Sequence, residues 1–254
     1  MNKLTKKEVT LKLKSMTIKE SLEYLNFVKE NANIDVDNLI EKIMKKKHSE
    51  EKELERLDKM LYFEREAFKE GFSSIAGIDE AGRGPLAGPV VCSAVILNPK
   101  ETILGLNDSK KVSEKKRDSL FEEINKKATC LAINFSEPNE IDTLNIKKAT
   151  LKAMKTVIPK LSINPDLLLI DAEKITNVDI PQKSIIKGDT LSLSIAAASI
   201  IAKVTRDAYM KKMAEKYPAY GFEKNKGYGT KEHIDAIKKF GICPIHRLSF
   251  VKNI

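Results

Sequence analysis

The chain has 254 residues and a mass of 28.5 kDa, enough for one large domain or for one domain with an appended segment. Lys and Arg outnumber Asp and Glu by 45 to 36, and this net charge of +9 favours a polyanionic partner. The sequence has no apolar run of about 18 residues, no apolar secretory core and only three cysteines, which excludes a membrane span and a disulfide framework. We therefore expect a cytoplasmic protein.

The first 70 residues contain no helix breaker, because all 11 glycines lie at Gly71 or later and all 9 prolines at Pro85 or later. Apolar side chains recur there at helical spacing, as at Leu22, Leu25 and Val28. We predict a helical N-terminal extension over residues 1–70, with a loop at 31–37, followed by a second domain at 71–254. The extension is either a solvated appendage or an accessory domain that grips the substrate.

From residue 73 onward the pattern is that of an α/β domain. We predict strands at 74–79, 90–97, 130–135, 167–170 and 184–186, and helices at 113–127, 140–157, 191–216 and 230–240. The all-apolar segment Leu167–Ile170 is typical of a strand buried on both faces. The small apolar residues of Ser194–Ala202 predict a helix that packs closely on its neighbour.

Acidic residues follow three of the predicted strands. Asp79 and Glu80 end the first strand, Asp171 follows the fourth, and Asp189 follows the fifth. Each could have a local role as a strand end, a turn or a helix cap. Ligands of open α/β sheets bind beyond the carboxyl ends of strands, and converging carboxylates repel one another unless cations neutralise them. The set therefore favours a site for Mg²⁺ or Mn²⁺, the arrangement used in two-metal phosphodiester hydrolysis.

Asp207 is the rival fourth ligand in this interpretation. If a helix begins near Leu191, Asp207 lies about 24 Å further along its axis, at 1.5 Å per residue. That distance is too great for a site at the sheet edge. We therefore interpret Asp207 as a surface or ion-pairing residue.

Two further segments are candidates for substrate contact. Glycines at Gly82 and Gly84 permit a close backbone approach, and Arg83 between them carries a guanidinium that matches phosphate geometry. Tyr228 lies between two glycines, where its ring could stack on a sugar or base or could instead be buried in the core. Lys110 is a candidate phosphate contact, although any single lysine is more often a plain surface residue.

Seven motifs together resemble bacterial ribonuclease HII, the type 2 ribonuclease H. They occur in the family's order and span about residues 75–254. The motifs are GIDEAGRGPLAGPVV at 77–91, LNDSKK at 106–111, LLIDA at 168–172, IKGD at 186–189, SIAAASIIAKVTRD at 194–207, KGYGT at 226–230 and HRLSF at 246–250.

The resemblance implies a ribonuclease H-like mixed sheet flanked by helices. It implies Mg²⁺- or Mn²⁺-dependent cleavage of RNA in RNA–DNA hybrids, with incision 5′ of single ribonucleotides in duplex DNA to leave 3′-hydroxyl and 5′-phosphate ends, as in ribonucleotide excision repair. By position, the residues that match the metal-binding, catalytic carboxylates are Asp79, Glu80, Asp171 and Asp189. The residues that match contacts to the ribonucleotide and to the junction sugar are Gly82, Arg83, Gly84 and Tyr228. A monomer without a membrane partner is expected.

Two alternatives remain open from the sequence. Ribonuclease HIII shares the carboxylates, but it resembles a chain with a β-rich N-terminal platform, which the helical first 70 residues do not match. In a non-catalytic hybrid-binding protein the carboxylates would be polar side chains without a chemical role, and binding would not depend on Mg²⁺. The four intact carboxylates argue against this second alternative.

Overall fold

The computed structural model describes residues 4–32 and 34–254, and these described residues form two compact units that divide between residues 56 and 57. The first unit is helical, as predicted, and its helices are α1 (Lys6–Leu13), α2 (Ile18–Asn31) and the greater part of α3 (Asp37–Met60). Thr5 and Thr17 begin α1 and α2 with reciprocal capping boxes. The predicted loop at 31–37 agrees with the end of α2 and the start of α3, although Asn33 lies outside the described residues.

The second unit begins before the sheet, at Leu57. Leu57 and Met60, at the end of α3, are buried in the same apolar cluster as Leu120 and Ile124. The next helix, α4 (Tyr62–Lys69), also belongs to this unit. The change in composition near residue 71 thus marks the start of the α/β pattern, whereas the compact unit that contains the sheet starts earlier.

A five-stranded mixed sheet forms the centre of the second unit. Its strands are β1 (Ile75–Ala81), β2 (Val90–Leu97), β3 (Ala128–Ser136), β4 (Leu167–Asp171) and β5 (Gln182–Ile185). The spatial order is β3-β2-β1-β4-β5, with β2 antiparallel to both of its neighbours, β1 and β3, and with β1, β4 and β5 parallel. All five predicted strands are present, and β4 is buried between β1 and β5 as its apolar sequence indicates.

Helices surround the sheet. They are α5 (Glu114–Lys127), α6 (Pro138–Leu144), α7 (Ile146–Val157), α8 (Gly188–Leu191), α9 (Leu193–Lys216), α10 (Phe222–Asn225), α11 (Lys231–Phe240) and α12 (Leu248–Val251). No helix in the described part of the chain is long and apolar enough to cross a membrane.

Two predicted helices are each divided in the structure. The segment at 140–157 breaks at Asn145, which has a φ of 72° and caps α7 by accepting a hydrogen bond from the Lys148 amide. The segment at 191–216 is preceded by α8 and begins at Leu193, because the Ser192 hydroxyl accepts a hydrogen bond from the Ile195 amide. Asn and Ser favour such capping positions over helix interiors.

Helix α9 packs directly on β1, as its small residues predict. A Cβ atom at Gly77 would lie 2.1 Å from the carbonyl carbon of Ser194, so only glycine permits this approach of strand and helix. On the α9 side, Ala196, Ala197 and Ala198 are fully buried. The close packing places the carboxyl end of β1 against the middle of α9.

Candidate active site

The predicted carboxylates lie at neighbouring strand ends. Strands β1 and β4 pair in parallel with Ile78 opposite Ile170, so Asp79 and Asp171 follow side by side at the carboxyl ends. Asp189 lies in α8, directly after β5. The preceding amide, that of Gly188, donates a 2.7 Å hydrogen bond to Asp171 Oδ1, which joins the start of α8 to the end of β4.

Burial and mutual repulsion raise the pKa values of three of these carboxyls. Burial raises the pKa of Asp79 well above its usual value, and the charges of Glu80 and Asp171 raise it further. Burial likewise raises the pKa of Glu80. For Asp189, burial and then the charges of Asp108 and Asp171 raise the pKa to about 6. The cluster therefore holds its negative charge against an opposing free energy, which a bound cation would relieve.

The donor set suits a hard divalent cation. Its ligand atoms are carboxylate oxygens, which Mg²⁺ and Mn²⁺ prefer and which disfavour a soft metal. Within residues 4–32 and 34–254, no three His, Cys, Asp or Glu side chains converge tightly enough to hold one ion by themselves. Mg²⁺ is commonly bound through one or two carboxylates with water and substrate phosphate completing its shell, so the residues present fit such an ion.

One cleft beside this cluster brings together the remaining predicted site residues. The predicted residues that line it are Asp79, Glu80, Gly82, Arg83, Gly84, Lys110 and Tyr228. Asp171 and Asp189 do not line the cleft itself, but Asp171 influences Asp79 and Glu80, and both influence Lys110. The site predicted from distant segments of sequence is therefore one contiguous region of the folded chain.

Lys110 lies among the carboxylates, beside an acid that sequence reasoning missed. Burial lowers the pKa of Lys110, but the surrounding carboxylates, chiefly Asp108 and Asp189, outweigh burial and raise it. Asp108 is buried and accepts a 2.9 Å hydrogen bond from the Lys110 amide. The signal in the sequence was its position within the LNDSKK motif, two residues before the candidate Lys110, but an aspartate there is equally suited to the turn that this hydrogen bond forms.

Arg83 and Tyr228 occupy the exposed side of the cleft. The Arg83 guanidinium lies 3.0 Å from Glu173 and 3.5 Å from Glu80, so it is held between two carboxylates. Tyr228 is 45% exposed, which excludes the core-tyrosine alternative. A Cβ atom at Gly84 would lie 3.8 Å from Cε1 of Tyr228, so the aromatic ring lies within van der Waals reach of the glycine loop, residues 82–89.

Asp207 lies away from the carboxylate cluster and forms ion pairs. It is 2.8 Å from Lys203 Nζ and 4.0 Å from the Arg117 guanidinium, and it is buried rather than on the surface. Lys203 itself lines the cleft. The interpretation of Asp207 as an ion-pairing residue is confirmed, and its partner Lys203 places positive charge at the cleft.

An acidic edge of a mixed sheet, flanked by a glycine loop and basic side chains, defines a nuclease of the ribonuclease H-like class. The ribonuclease HII family is matched over residues 76–253. The chain therefore belongs to the ribonuclease HII family and is a ribonuclease H enzyme. The resemblance seen in the motifs is confirmed, and the match is to ribonuclease HII rather than to the alternative, ribonuclease HIII.

Individual relatives support the same assignment. The chain is 52% identical over 253 residues to ribonuclease HII of Ruminiclostridium cellulolyticum, covering 100% of this chain and 99% of the relative. It is 49% identical over 248 residues to ribonuclease HII of Clostridioides difficile, covering 98% and 97%. The crystal structure of ribonuclease H2 from Pyrococcus horikoshii OT3 is similar with a TM-score of 0.62 at 25% identity, over 71% of this chain and 96% of that one. The predicted ribonuclease H-like fold is thus confirmed.

Proposed function

We propose that this enzyme cleaves RNA in RNA–DNA hybrids and incises duplex DNA on the 5′ side of a single embedded ribonucleotide, leaving 3′-hydroxyl and 5′-phosphate ends. The observation that carries the proposal is the junction of a buried carboxylate cluster with a glycine loop and an exposed tyrosine in one cleft. The cluster supplies a hydrolytic centre for a phosphodiester. The loop and the ring supply contacts to a sugar beside it.

Selection of a ribonucleotide requires contact with its 2′-hydroxyl, the group that distinguishes RNA from DNA. Gly84 is exposed and leaves the loop backbone accessible from the cleft, whereas Gly82 is buried and gives Arg206 room to pack beneath the loop. Arg83 adds a cation for the neighbouring phosphate. The ring of Tyr228, which is exposed in the same cleft, would stack on the sugar at the RNA–DNA junction. Lys110 and Lys203 add positive charge for the substrate backbone.

The residues that would hold Mg²⁺ or Mn²⁺ are Asp79, Glu80, Asp171 and Asp189, with two ions in the active site. A bound divalent cation lowers the pKa of a water nucleophile and stabilises the leaving 3′-oxygen. Asp79 and Glu80 lie on β1, the strand that leads directly into the glycine loop, so the position of these two carboxylates relative to the loop is fixed. Lys110, among the carboxylates, is placed to hold the scissile phosphate against them.

We also propose an accessory role for the helical extension in substrate binding, with the enzyme acting as a monomer. A groove along α1 is lined by Lys6, Lys7 and Lys14, together with Thr10 and Leu11. Lysines in this arrangement suit the phosphates of a duplex, and their contribution falls as salt rises.

The test is a cleavage assay on a DNA duplex that contains one ribonucleotide, with an all-DNA duplex as control and with Mg²⁺ or EDTA. We expect one incision, 5′ of the ribonucleotide, only in the presence of metal. Asp79→Asn, Asp171→Asn and Asp189→Asn should each abolish most cleavage while binding survives, since the phosphate-binding lysines remain. Asp118→Asn, an exposed acid on α5, is the matched control and should cleave normally.

Asp207→Asn should be milder than the three cluster variants, because Asp207 lies outside the cluster. Cleavage by Asp189→Asn at the wild-type rate would show that the cluster is wrongly assigned. Binding to the hybrid without any metal-dependent cleavage would favour the non-catalytic alternative.

A further inference from the structure

Two arginines of the second unit are buried without a carboxylate partner. Arg206 is 1% exposed and Arg247 is 0% exposed. Within residues 4–32 and 34–254, no carboxylate lies within 4.0 Å of either guanidinium. Burying a charged group is unfavourable unless hydrogen bonds compensate for lost water. Both guanidinium groups are instead compensated by hydrogen bonds to backbone carbonyls.

Every hydrogen bond that Arg247 forms through its guanidinium ends on the glycine loop, residues 82–89. Nε donates to the Gly88 carbonyl at 2.9 Å, and Nη2 donates to the Gly82 carbonyl at 2.6 Å. Nη1 donates to the carbonyls of Arg83 and Pro85 at 3.0 and 2.8 Å. A single buried side chain thus holds four carbonyls of the segment that carries the proposed 2′-hydroxyl contact.

Arg206 ties the same loop to the segment that carries the tyrosine. Nη2 and Nε donate to the carbonyls of Ala87 and Pro89, both at 3.0 Å. Nη1 donates at 3.0 Å to the carbonyl of Lys226, two residues before Tyr228. The side chain also packs on Gly82, where an added Cβ atom would lie 2.1 Å from Nε.

The fixed carbonyls determine which backbone groups face outward. In a trans peptide the C=O and the following N–H point in opposite directions, so inward carbonyls at Gly82 and Arg83 turn the amides of Arg83 and Gly84 away from the guanidinium. Neither of these amides donates a backbone hydrogen bond within the described residues. Successive free amides of this kind form a concave donor site for an anion or a hydroxyl oxygen.

We propose that Arg247 and Arg206 are positioning residues for ribonucleotide recognition. They hold the carbonyls of the glycine loop inward, present its amides to the substrate, and fix the distance from that loop to Tyr228. Neither guanidinium needs to touch the substrate for this role. The proposal rests on the proposed function for what the loop recognises, but the claim that the arginines hold the loop is independent of it.

The test uses Arg247→Lys and Arg206→Lys in the full chain. An ammonium keeps the charge but has three donors on a compact head, so it cannot reproduce the spread of contacts of the guanidinium. We expect kcat/KM on a duplex with one embedded ribonucleotide to fall at least tenfold, because small misplacements of a recognition group have effects of this size. Affinity for the all-DNA duplex, measured in EDTA, should stay within about twofold, since lysines elsewhere contact the phosphates.

Leu120→Ala is the control for mere loss of stability, since Leu120 is fully buried in α5 and outside both loops. Assayed below its melting temperature, it should keep the wild-type kcat/KM even if it is less stable than the arginine variants. Hydrogen exchange at residues 86–88 gives a second measurement. The amides of Leu86 and Ala87 donate hydrogen bonds to the Gly227 carbonyl, and the Gly88 amide donates one to the Ile245 carbonyl. The exchange of these three amides should accelerate about tenfold or more in the arginine variants only.

The proposal is overturned if both lysine variants keep wild-type kcat/KM and wild-type exchange in the loop. It is also overturned if Leu120→Ala loses as much kcat/KM as the arginine variants do for the same loss of stability. A wild-type enzyme that does not cut at an embedded ribonucleotide would refute the proposed function instead, and the exchange measurement would then still decide whether the arginines hold the loop.

Discussion

Truncation at two different residues tests where the catalytic unit begins. We expect a fragment 57–254 to fold with stability close to that of the second unit in the intact chain. A fragment 71–254, cut at the change in composition, should be strongly destabilised. The reason is that residues 57–70 supply buried side chains to the α/β unit, although they resemble the helical extension in sequence.

The size of the loss follows from the contacts removed. Leu57 and Met60 are 3% and 4% exposed, and burial of each is worth about 1.5–3 kcal/mol. Glu64 is buried on α4, and its Oε1 accepts hydrogen bonds from the Ser192 hydroxyl at 2.6 Å and the Ser194 amide at 2.9 Å. Loss of these two hydrogen bonds, at about 0.5–1.5 kcal/mol each, costs about 1–3 kcal/mol. The sum, about 4–9 kcal/mol, is comparable to the whole stability of a typical domain, about 5–15 kcal/mol.

Urea unfolding of the two fragments and of the intact chain measures this difference. Glu64→Ala in fragment 57–254 isolates the hydrogen-bond contribution and should lower the free energy of unfolding by about 1–3 kcal/mol. Glu70→Ala, at the exposed end of the same helix, is the matched control and should change it by less than about 0.5 kcal/mol. Equal unfolding midpoints for fragments 57–254 and 71–254 would refute the reasoning.

Three further predictions concern single residues. Burial lowers the pKa of His246 from 6.5 to about 4. Between these two pH values the unfolded chain binds a proton at His246 and the native chain does not. Stability should drop by up to about 3 kcal/mol on acidification from pH 7 to 4, and urea unfolding of His246→Gln should show a smaller drop. Asp189→Asn should raise the melting temperature of the metal-free protein at pH 8, because ionisation of a carboxyl with a pKa of about 6 opposes folding by at most about 3 kcal/mol; a gain that persisted at pH 3.5 would contradict this cause. Gly77→Ala should destabilise the chain by about 3 kcal/mol or more in thermal unfolding because its Cβ atom meets the backbone of α9, whereas Gly84→Ala, with its nearest neighbour 3.8 Å away, should fold normally.

Much of the fold could be predicted because the local signals agree with the tertiary structure. The all-apolar Leu167–Ile170 segment forms an interior strand, and the small residues after Leu193 pack on β1 at Gly77. The breaks at Asn145 and Ser192 were missed because either residue is tolerated inside a helix, and only the capping hydrogen bond distinguishes the two cases. The start of the second unit was missed because the period of an amphipathic helix does not reveal which core its apolar face joins.

The candidate site also has a part that could be predicted from the sequence and a part that could not. Chemistry that depends on residue type at strand ends, as for Asp79 and Asp171, could be predicted because parallel pairing of β1 and β4 brings equivalent ends together. The residues that support the site from distant segments of the chain could not be predicted. Asp108 acts on Asp189 from a loop between β2 and α5, and Arg247 reaches the glycine loop from the end of the chain. Such contacts depend on tertiary geometry, which no local spacing encodes.

The buried side of the site explains how the chain tolerates a cluster of like charges. The carboxyl end of β1 is fixed by close packing on α9, so Asp79 cannot move away from Asp171 without separating strand from helix. The Glu80 amide donates a 2.7 Å hydrogen bond to Asp79 Oδ1, which lowers the pKa of Asp79 and opposes the larger effect of burial. Burial first, and then repulsion from neighbouring carboxylates, raises the pKa values of Asp79 and Asp189, so both carboxyls hold their protons to a higher pH than usual. Rigid packing therefore preserves a site with raised carboxyl pKa values. If the proposed function is correct, Mg²⁺ would have to displace those protons on binding, so affinity for Mg²⁺ should rise with pH.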